Sequence, residues 1–249
     1  MRIWKKLPTI SAPMPFQMGL DDFLFHQKKD EKFKEGLALQ PLLRFYYASE
    51  ASVSLGYAYA GWKHLGSDQH DAALFMENTE KELPVCRRLT GGGRVIHGND
   101  LMFSLLALKT DDESFKSVRD SYRKIHEVLQ SALNDFGLET TFYCCDDELV
   151  RGKDCFVFPI ATDLAYENKK VAGGGQKRSV GVMLHQESIQ LKTLKVDPED
   201  LIKKIEFHFE KKFEVKLEDL NLQPEWMQEA EKRGEEHYQI QASKEVLQA

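Results

Sequence analysis

Three consecutive glycines, Gly91 to Gly93, stand between Arg87-Arg88 and the run Val95-Ile96-His97, and no other stretch restricts the backbone as much. Glycine inside a helix or strand costs roughly 0.5–1 kcal/mol relative to alanine, so a triplet belongs where the chain bends sharply or lets another group approach. With two guanidiniums ahead and a histidine behind, one reading is a cradle for an anionic or carbonyl-bearing ligand. The other is a tight hairpin with solvated arginines. A second triplet, Gly173 to Gly175, follows Val171-Ala172 and lies beside Lys169, Lys170, Lys177 and Arg178. Each triplet is expected at the end of a strand, and together they read as two walls of one pocket or as two unrelated turns. Neither has the Gly-x-x-x-x-Gly-Lys-Ser/Thr order of a P-loop or the Gly-x-Gly-x-x-Gly spacing of a Rossmann turn.

A chain of 249 residues suits one large domain with a proper core. Its net charge of −6 argues against a general nucleic-acid or anionic-membrane binder, which needs a basic footprint. Residues 1 to 16 carry Pro8, Pro13 and Pro15 and no uninterrupted apolar block. Neither a signal peptide nor a membrane span fits there, which predicts a cytoplasmic, reducing location. The four cysteines, Cys86, Cys144, Cys145 and Cys155, include no Cys-x-x-Cys pair and no histidine at zinc-site spacing, so no metal is expected.

In chain order, a short amphipathic helix is expected from Phe16 to His26, then strands over Leu42–Tyr47 and Val53–Tyr57 with a turn at Ala48–Glu50. A turn or two of helix is expected at Asp71–Met76. Strands follow at Val85–Arg88, Val95–Ile96 and Leu101–Leu108, the last apolar on both faces and therefore central. Ser114 to Phe136 carries the strongest helical period, with Gly137 at its C-cap and acidic residues at its start. Thr140–Cys144 reads as a strand. Leu164–Ala172 reads as a hairpin turning at Glu167-Asn168, and Val180–Leu184 and Ser188–Leu191 as two further strands. Asp197-Pro198 opens a capped helix with Leu201, Ile202, Ile205 and Phe209 on one face, and Pro224 to about His237 forms a last amphipathic segment. These elements predict an α+β fold, a mixed β-sheet core with covering helices. They are expected to form a single domain over residues 1–249, with a core of about 16–215 and a helical tail of about 222–249.

Arg87-Arg88-x-Thr90-Gly91-Gly92-Gly93-x-Val95-x-His97, followed by Ser104, resembles the signature of the lipoate–protein ligase and octanoyltransferase family. Lys170-Val171-Ala172-Gly173-Gly174-Gly175-Gln176-Lys177-Arg178, followed by Leu184 to Ile189, resembles its second signature. Met18-Gly-Leu20-Asp21 and Val53 to Tyr57 are similar to its weaker early motifs, so the resemblance runs from about Met18 to Leu191. Biotin ligases share that fold, but their arginine-rich glycine loop is missing here. Two departures stand out: Ala48 where an aromatic is common, and Gly174-Gly175 where many members carry a small residue and Ser or Ala.

The resemblance implies that the two glycine stretches, Thr90–Gly93 and Gly173–Gly175, with Arg88 and Gln176, shape a tunnel for a medium-chain acyl group. It implies that Lys170 holds the acyl carbonyl, where a compact ammonium would steady the oxyanion; read without it, Lys170 is a solvated hairpin lysine. His97 and His185 are expected to line the pocket or to be satisfied structural histidines. The family divides by activation chemistry. Cys155, fifteen positions before Lys170 in a Cys-Phe-x-x-Pro segment, resembles the cysteine of the octanoyltransferase branch, which implies a thioester taken from octanoyl-acyl carrier protein without a cofactor. A ligase would use ATP and Mg2+ to form lipoyl-adenylate. About 58 residues follow Leu191, too few for the ligase accessory domain, which favours a transferase and also fits a ligase split over two chains. The implied acceptors are lysines of lipoyl domains or of glycine-cleavage H protein. Two alternatives from other classes are a non-catalytic acyl or lipoyl-domain binding protein, and a nucleic-acid module using Arg87, Arg88, Lys169, Lys170, Lys177 and Arg178; the acidic balance disfavours the second.

Overall fold

The computed structural model describes residues 1–29, 40–57, 83–143 and 162–240. The expectations for Asp71–Met76, for Cys144 and Cys145, and for Cys155 with its segment lie outside these residues. The strands, in chain order, are β1 (Arg2–Ala12), β2 (Leu42–Ala48), β3 (Ser52–Leu55), β4 (Val85–Arg87), β5 (Arg94–His97), β6 (Asp100–Leu108), β7 (Thr141–Phe142), β8 (Leu164–Tyr166), β9 (Lys169–Ser179), β10 (Val182–Gln190), β11 (Val215–Asp219) and β12 (Gln239–Ile240). They form an eight-stranded sheet, β11-β1-β2-β6-β10-β9-β8-β7, and a four-stranded one, β12-β4-β3-β5. β11, β1 and β2 run parallel, whereas β2, β6, β10, β9, β8 and β7 alternate in direction.

β6 is flanked by β2 and β10. Its apolar side chains meet a core on each face, Phe103 and Leu105 on one and Met102 and Leu106 on the other, as a strand covered on both sides requires. The longer helices are α1 (Met14–Lys29), α2 (Val118–Asn134), α3 (Pro198–Phe213) and α4 (Pro224–Arg233). α2 and α3 cover one face of the large sheet, around Trp4, Phe115, Phe209 and Phe213. α1 and α4 cover the other. Local chemistry sets the helix ends. Ser117 Oγ accepts from the Asp120 N–H, Asp197 caps Glu199 and Asp200 ahead of Pro198, and Gly137 stands at φ 74° just beyond α2. No helix of the described residues is long and apolar enough to cross a membrane.

Two sequence expectations are corrected, those for residues 180–191 and for Gly173–Gly175, and two further features had no sequence expectation. The proline-bearing N-terminus is a strand, β1, and Pro8, which has no N–H to donate, sits where the β1–β2 register shifts between Leu7 and Ile10. Val180–Leu184 and Ser188–Leu191 are not two strands: β10 runs unbroken through His185, Gln186 and Glu187, and the chain reverses at Val180-Gly181, both at positive φ. Neighbouring strands in sequence also separate, because β2 and β6 lie in the large sheet while β3 and β5 lie in the small one. Gly173–Gly175 does not end a strand as a loop; it lies inside β9, paired with Ser188, Glu187 and Gln186. The hairpin at Glu167-Asn168 forms as expected, with φ 49° and 59°.

One buried carboxylate docks α1 on the sheet. Asp21 Oδ1 accepts from Arg44 Nε at 2.7 Å and from Ser104 Oγ at 2.8 Å, and Arg44 also donates to the Gln17 side chain and carbonyl. Arg44 and Asp21 are 2% and 1% exposed, so removing one strands the other's charge. Asp21→Ala is expected to lower the unfolding free energy by about 3–5 kcal/mol, read from the urea midpoint, while the paired substitution Asp21→Ala with Arg44→Met recovers part of the loss.

Candidate active site

The glycine stretch that opens the sequence is held rigid by the arginine before it. Arg88 donates from Nη1 to Ser54 O and Oγ, both at 3.0 Å, and from Nη2 to Gly91 O at 3.1 Å and Gly93 O at 2.8 Å. Its guanidinium therefore fastens the loop. Gly92 takes φ 102°, and a side chain at Gly56 would run into the Gly92 carbonyl, so the loop can lie against the end of β3 only with glycine on both sides. His97 on β5 bonds Asp100 Oδ2 through Nδ1 at 2.7 Å, and its Nε2 faces Ser54 Oγ at 2.7 Å. Burial works against the charge on Asp100, but His97 and Ser188 hold its carboxyl below the usual range. A carboxylate accepts only, so Nδ1 donates to Asp100.

The two glycine stretches meet. Thr90, fully buried, donates from Oγ1 to Gln186 Oε1 at 2.9 Å, and Gln186 Nε2 donates to Asp21 Oδ2 at 2.6 Å. A Cβ at Gly175 would come within 2.7 Å of Thr90 Oγ1 and 3.0 Å of the Gly91 carbonyl. Between them a small cavity of about 40 Å³ opens, lined by Met14, Met18, Tyr46, Met102 and Val95 together with Ser54, Arg88, Thr90 and His97. It lies between the two sheets, and the methionines, Tyr46 and Val95 give it apolar surface among convergent polar groups, as in ligand sites. A second, more open cleft, bounded by Gly91, Gly92, Tyr122 and Arg178, shares Lys170, Gly174 and Gly175 with it.

Lys170 therefore stands where cavity and cleft join. It is not a solvated lysine: its side chain is 7% exposed and bonds Asp163 Oδ2 at 2.7 Å. That side chain crosses Gly173, where a Cβ would collide with its Cε and Nζ. The ladder pairs place Gly173 and Gly175 toward the cavity, whereas Gly174 turns toward α2, where a side chain would strike Glu187. Gln176 bonds Ser121 at 3.0 Å and His185 at 3.2 Å. His185 sits on the α2 face of β10, fully buried, its Nε2 at 2.9 Å from Glu187 Oε2. Only His97 of the two histidines is among the side chains lining the cavity. Cys86, the cysteine among the described residues, is buried, and burial pushes its thiol up to about 12 despite Arg88.

Sequence reasoning missed Asp163, His126, Glu187, Asp100 and Gln186. A trace of them was present, because polar His185, Gln186, Glu187 and Ser188 interrupt an otherwise apolar strand, and a buried polar residue needs a partner. His126 Nε2 also meets Glu187 Oε2 at 2.9 Å. The donor atoms of His126, His185 and Glu187 lie within 4.8 Å of one another, and hydrogen bonds inside the trio account for that spacing. Burial raises the Glu187 carboxyl, but His126 and His185 outweigh it and bring it to about 2. Burial lowers the His126 ring, but Glu187 outweighs it and raises the ring above its usual value.

Two predictions follow from these contacts. Gly175→Val is expected to push the Thr90 loop off β9 and lower the unfolding free energy by about 1–3 kcal/mol, read from the urea midpoint. The Glu187 charge stabilises the fold fully above its ordinary value of 4.5 and is lost as pH falls toward about 2. The His126 charge stabilises it fully below 6.5 and is lost as pH rises through the ring's raised value. Stability should therefore be greatest between about pH 4.5 and 6.5 as far as this pair decides it, and Glu187→Gln should flatten both limbs in pH-dependent urea unfolding.

Residues 13–216 match the lipoyl protein ligase A/B catalytic domain family. Among curated relatives, octanoyltransferase LipM of Lysinibacillus sphaericus is 29% identical over 217 residues, covering 84% of this chain and 72% of that protein. Octanoyltransferase LipM of Bacillus subtilis is 29% identical over 195 residues, covering 76% and 65%. Among solved structures, a lipoate-protein ligase A bound with ATP superposes with a TM-score of 0.66 at 17% identity, covering 95% of each chain. A putative lipoate protein ligase of T. acidophilum with bound lipoic acid gives 0.66 at 18%, covering 93% and 94%. At these identities the structural likeness carries the fold, and the sequence match carries the descent: the chain belongs to the lipoyl protein ligase A/B catalytic domain family.

Proposed function

We propose that this chain is an octanoyltransferase of protein lipoylation, working through a thioester on Cys155 and delivering the acyl group to a lysine of a lipoyl domain or of glycine-cleavage H protein. The observation that carries it is Lys170 at the junction of an apolar-lined cavity and an outer cleft, in a chain whose relatives over most of its length are named octanoyltransferases. The octanoyl chain fills the cavity between the sheets, its carbonyl rests beside Lys170, and the protein-borne arm comes in along the cleft. Acceptor class is supported by a structural relative, a bipartite lipoate protein ligase of Thermoplasma acidophilum described with its E2 lipoyl domain.

The steps need no ATP. The Cys155 thiolate attacks the thioester carbonyl of octanoyl-acyl carrier protein, and the carrier thiol departs with a proton. The acceptor amine then attacks the enzyme thioester, the carbon–sulfur bond breaks as the amide forms, and the proton lost by the amine passes to the Cys155 sulfur, returning the thiol. The two thioesters are close in energy, so the first step runs readily in either direction. In each tetrahedral intermediate the Lys170 ammonium faces the oxyanion, and electrostatic stabilisation of this kind is worth about 2.7–4 kcal/mol.

Incubation with octanoyl-acyl carrier protein is expected to place a hydroxylamine-sensitive octanoyl adduct on Cys155 by mass spectrometry, absent in Cys155→Ser. Lys170→Met paired with Asp163→Asn, which leaves no buried charge stranded, should keep the fold and lower turnover about 10²–10³-fold. ATP-dependent acceptor modification that survives Cys155→Ser would select the ligase chemistry instead.

A further inference from the structure

His126 lies on α2, fully buried, and the reaction outlined above gives it no part. Both its ring nitrogens face acceptors. Nδ1 meets the carbonyl oxygen of Thr162, and Nε2 meets Oε2 of Glu187 at 2.9 Å. A carbonyl cannot donate, and neither can an ionised carboxylate, so both nitrogens carry protons and the ring is an imidazolium. The neighbouring histidine is different. Arg178 Nε donates to Gln176 Oε1 at 2.9 Å, which turns the Gln176 amide nitrogen toward His185 Nδ1 at 3.2 Å. His185 accepts there and donates from Nε2 to Glu187, so it is neutral, and burial pushes its pKa down. Glu187 Oε1 is buried with no hydrogen-bond partner, so the Glu187 charge leans on Oε2 and on the one cationic ring.

The two bonds of His126 end at opposite sides of the Lys170 cradle. Thr162 directly precedes Asp163, whose carboxylate holds Lys170 Nζ at 2.7 Å. Glu187 pairs across the ladder with Gly174, and the adjacent Gly173 underlies the lysine side chain. One rigid ring on α2 therefore ties the segment that carries Asp163 to the strand that backs the glycines, from the sheet face away from the cavity.

We propose that His126 is a positioning residue for Lys170: as a buried imidazolium bridging Thr162 and Glu187, it fixes the separation between Asp163 and β10, and so the place where the ammonium meets the acyl carbonyl. The inference rests on the role given to Lys170 above, but not on activity alone for its test. The charged and titratable groups around the ring are Glu187 and His185 from β10, Asp163 from the segment before β8, and Tyr122 from α2 itself, whose ring centroid is 5.8 Å away.

The experiment is heteronuclear NMR of the full chain with 15N-labelled lysine and histidine, alongside steady-state kinetics with octanoyl-acyl carrier protein. The wild-type spectrum should show a slowly exchanging ammonium resonance that Lys170→Arg abolishes, and one histidine with both ring nitrogens protonated at pH 7.5 that His126→Gln abolishes. In His126→Gln the Lys170 resonance should shift or broaden, and kcat should fall at least tenfold with KM for the donor changing less than threefold. Glu187→Gln, which keeps the shape and removes the counter-charge, should reproduce the loss of the doubly protonated ring and serves if His126→Gln does not fold. A neutral His126, no held Lys170 resonance, or a Lys170 resonance unmoved in both variants overturns the proposal. A resonance that moves while kcat stays unchanged leaves the positioning intact and overturns the catalytic role of Lys170 instead.

Discussion

The architecture around the cavity hangs on the carboxylate of Asp21. Its Oδ1 collects Arg44 from β2 and Ser104 from β6, and its Oδ2 collects Gln186 from β10, which in turn receives Thr90 from the glycine loop. One residue of α1 thereby ties three neighbouring strands of the large sheet to the loop that closes the small one. Every member of this chain of bonds is buried, where an unmet donor or charge costs several kcal/mol. The helix, the strand order and the loop must therefore be right together. A cavity walled by elements fixed in this way is pre-organised, which lowers the ordering cost of binding a flexible ligand.

The second glycine triplet shows why three residues in a row lack side chains. Successive residues of a strand face opposite sides, so no single close contact can explain the run. Gly173 leaves room for the Lys170 side chain and Gly175 for Thr90, both on the cavity side, while Gly174 leaves room for Glu187 on the other. Three different approaches impose one composition, and the cost in strand propensity is spread along β9, whose ladder to β10 is complete from Ala172 to Ser179.

This also marks how far the sequence could be read. Periodicity found α1, α2, α3, β6 and the Glu167-Asn168 hairpin, because each rests on a local pattern: apolar spacing, a cap, or a pair of turn residues. It missed β1 and β11, which are strands through parallel pairing with distant chain and carry no local signature beyond it. The glycine triplets pointed to a pocket, and they do touch. The partners that make the pocket work chemically were not legible: Asp163 from the segment before β8, His126 from a helix, Glu187 from mid-strand. Each is an ordinary polar residue in its own segment, and its meaning comes from tertiary neighbours. Arg88 lines the cavity, but its hydrogen bonds were not legible for the same reason. Beside glycines a guanidinium reads as an anion site, yet this one spends its donors on Ser54, Gly91 and Gly93.

The charges behind the cavity follow a common logic. Lys170 with Asp163 and His126 with Glu187 are two opposite pairs, so the buried cluster is close to neutral while its dipoles stay fixed. A lone buried ammonium would lose its proton or leave the pocket, because desolvation penalises the charged form. The Asp163 carboxylate at 2.7 Å offsets the desolvation of the Lys170 side chain and also draws on the field that side chain presents to the cavity. The second pair bears on that balance: an imidazolium on the far side of the sheet adds positive charge near Asp163 and draws part of that carboxylate's field away from the lysine. In a medium of low dielectric such redistribution acts over several ångströms, so the ring on α2 bears on both the place of the ammonium and the share of its charge left for substrate.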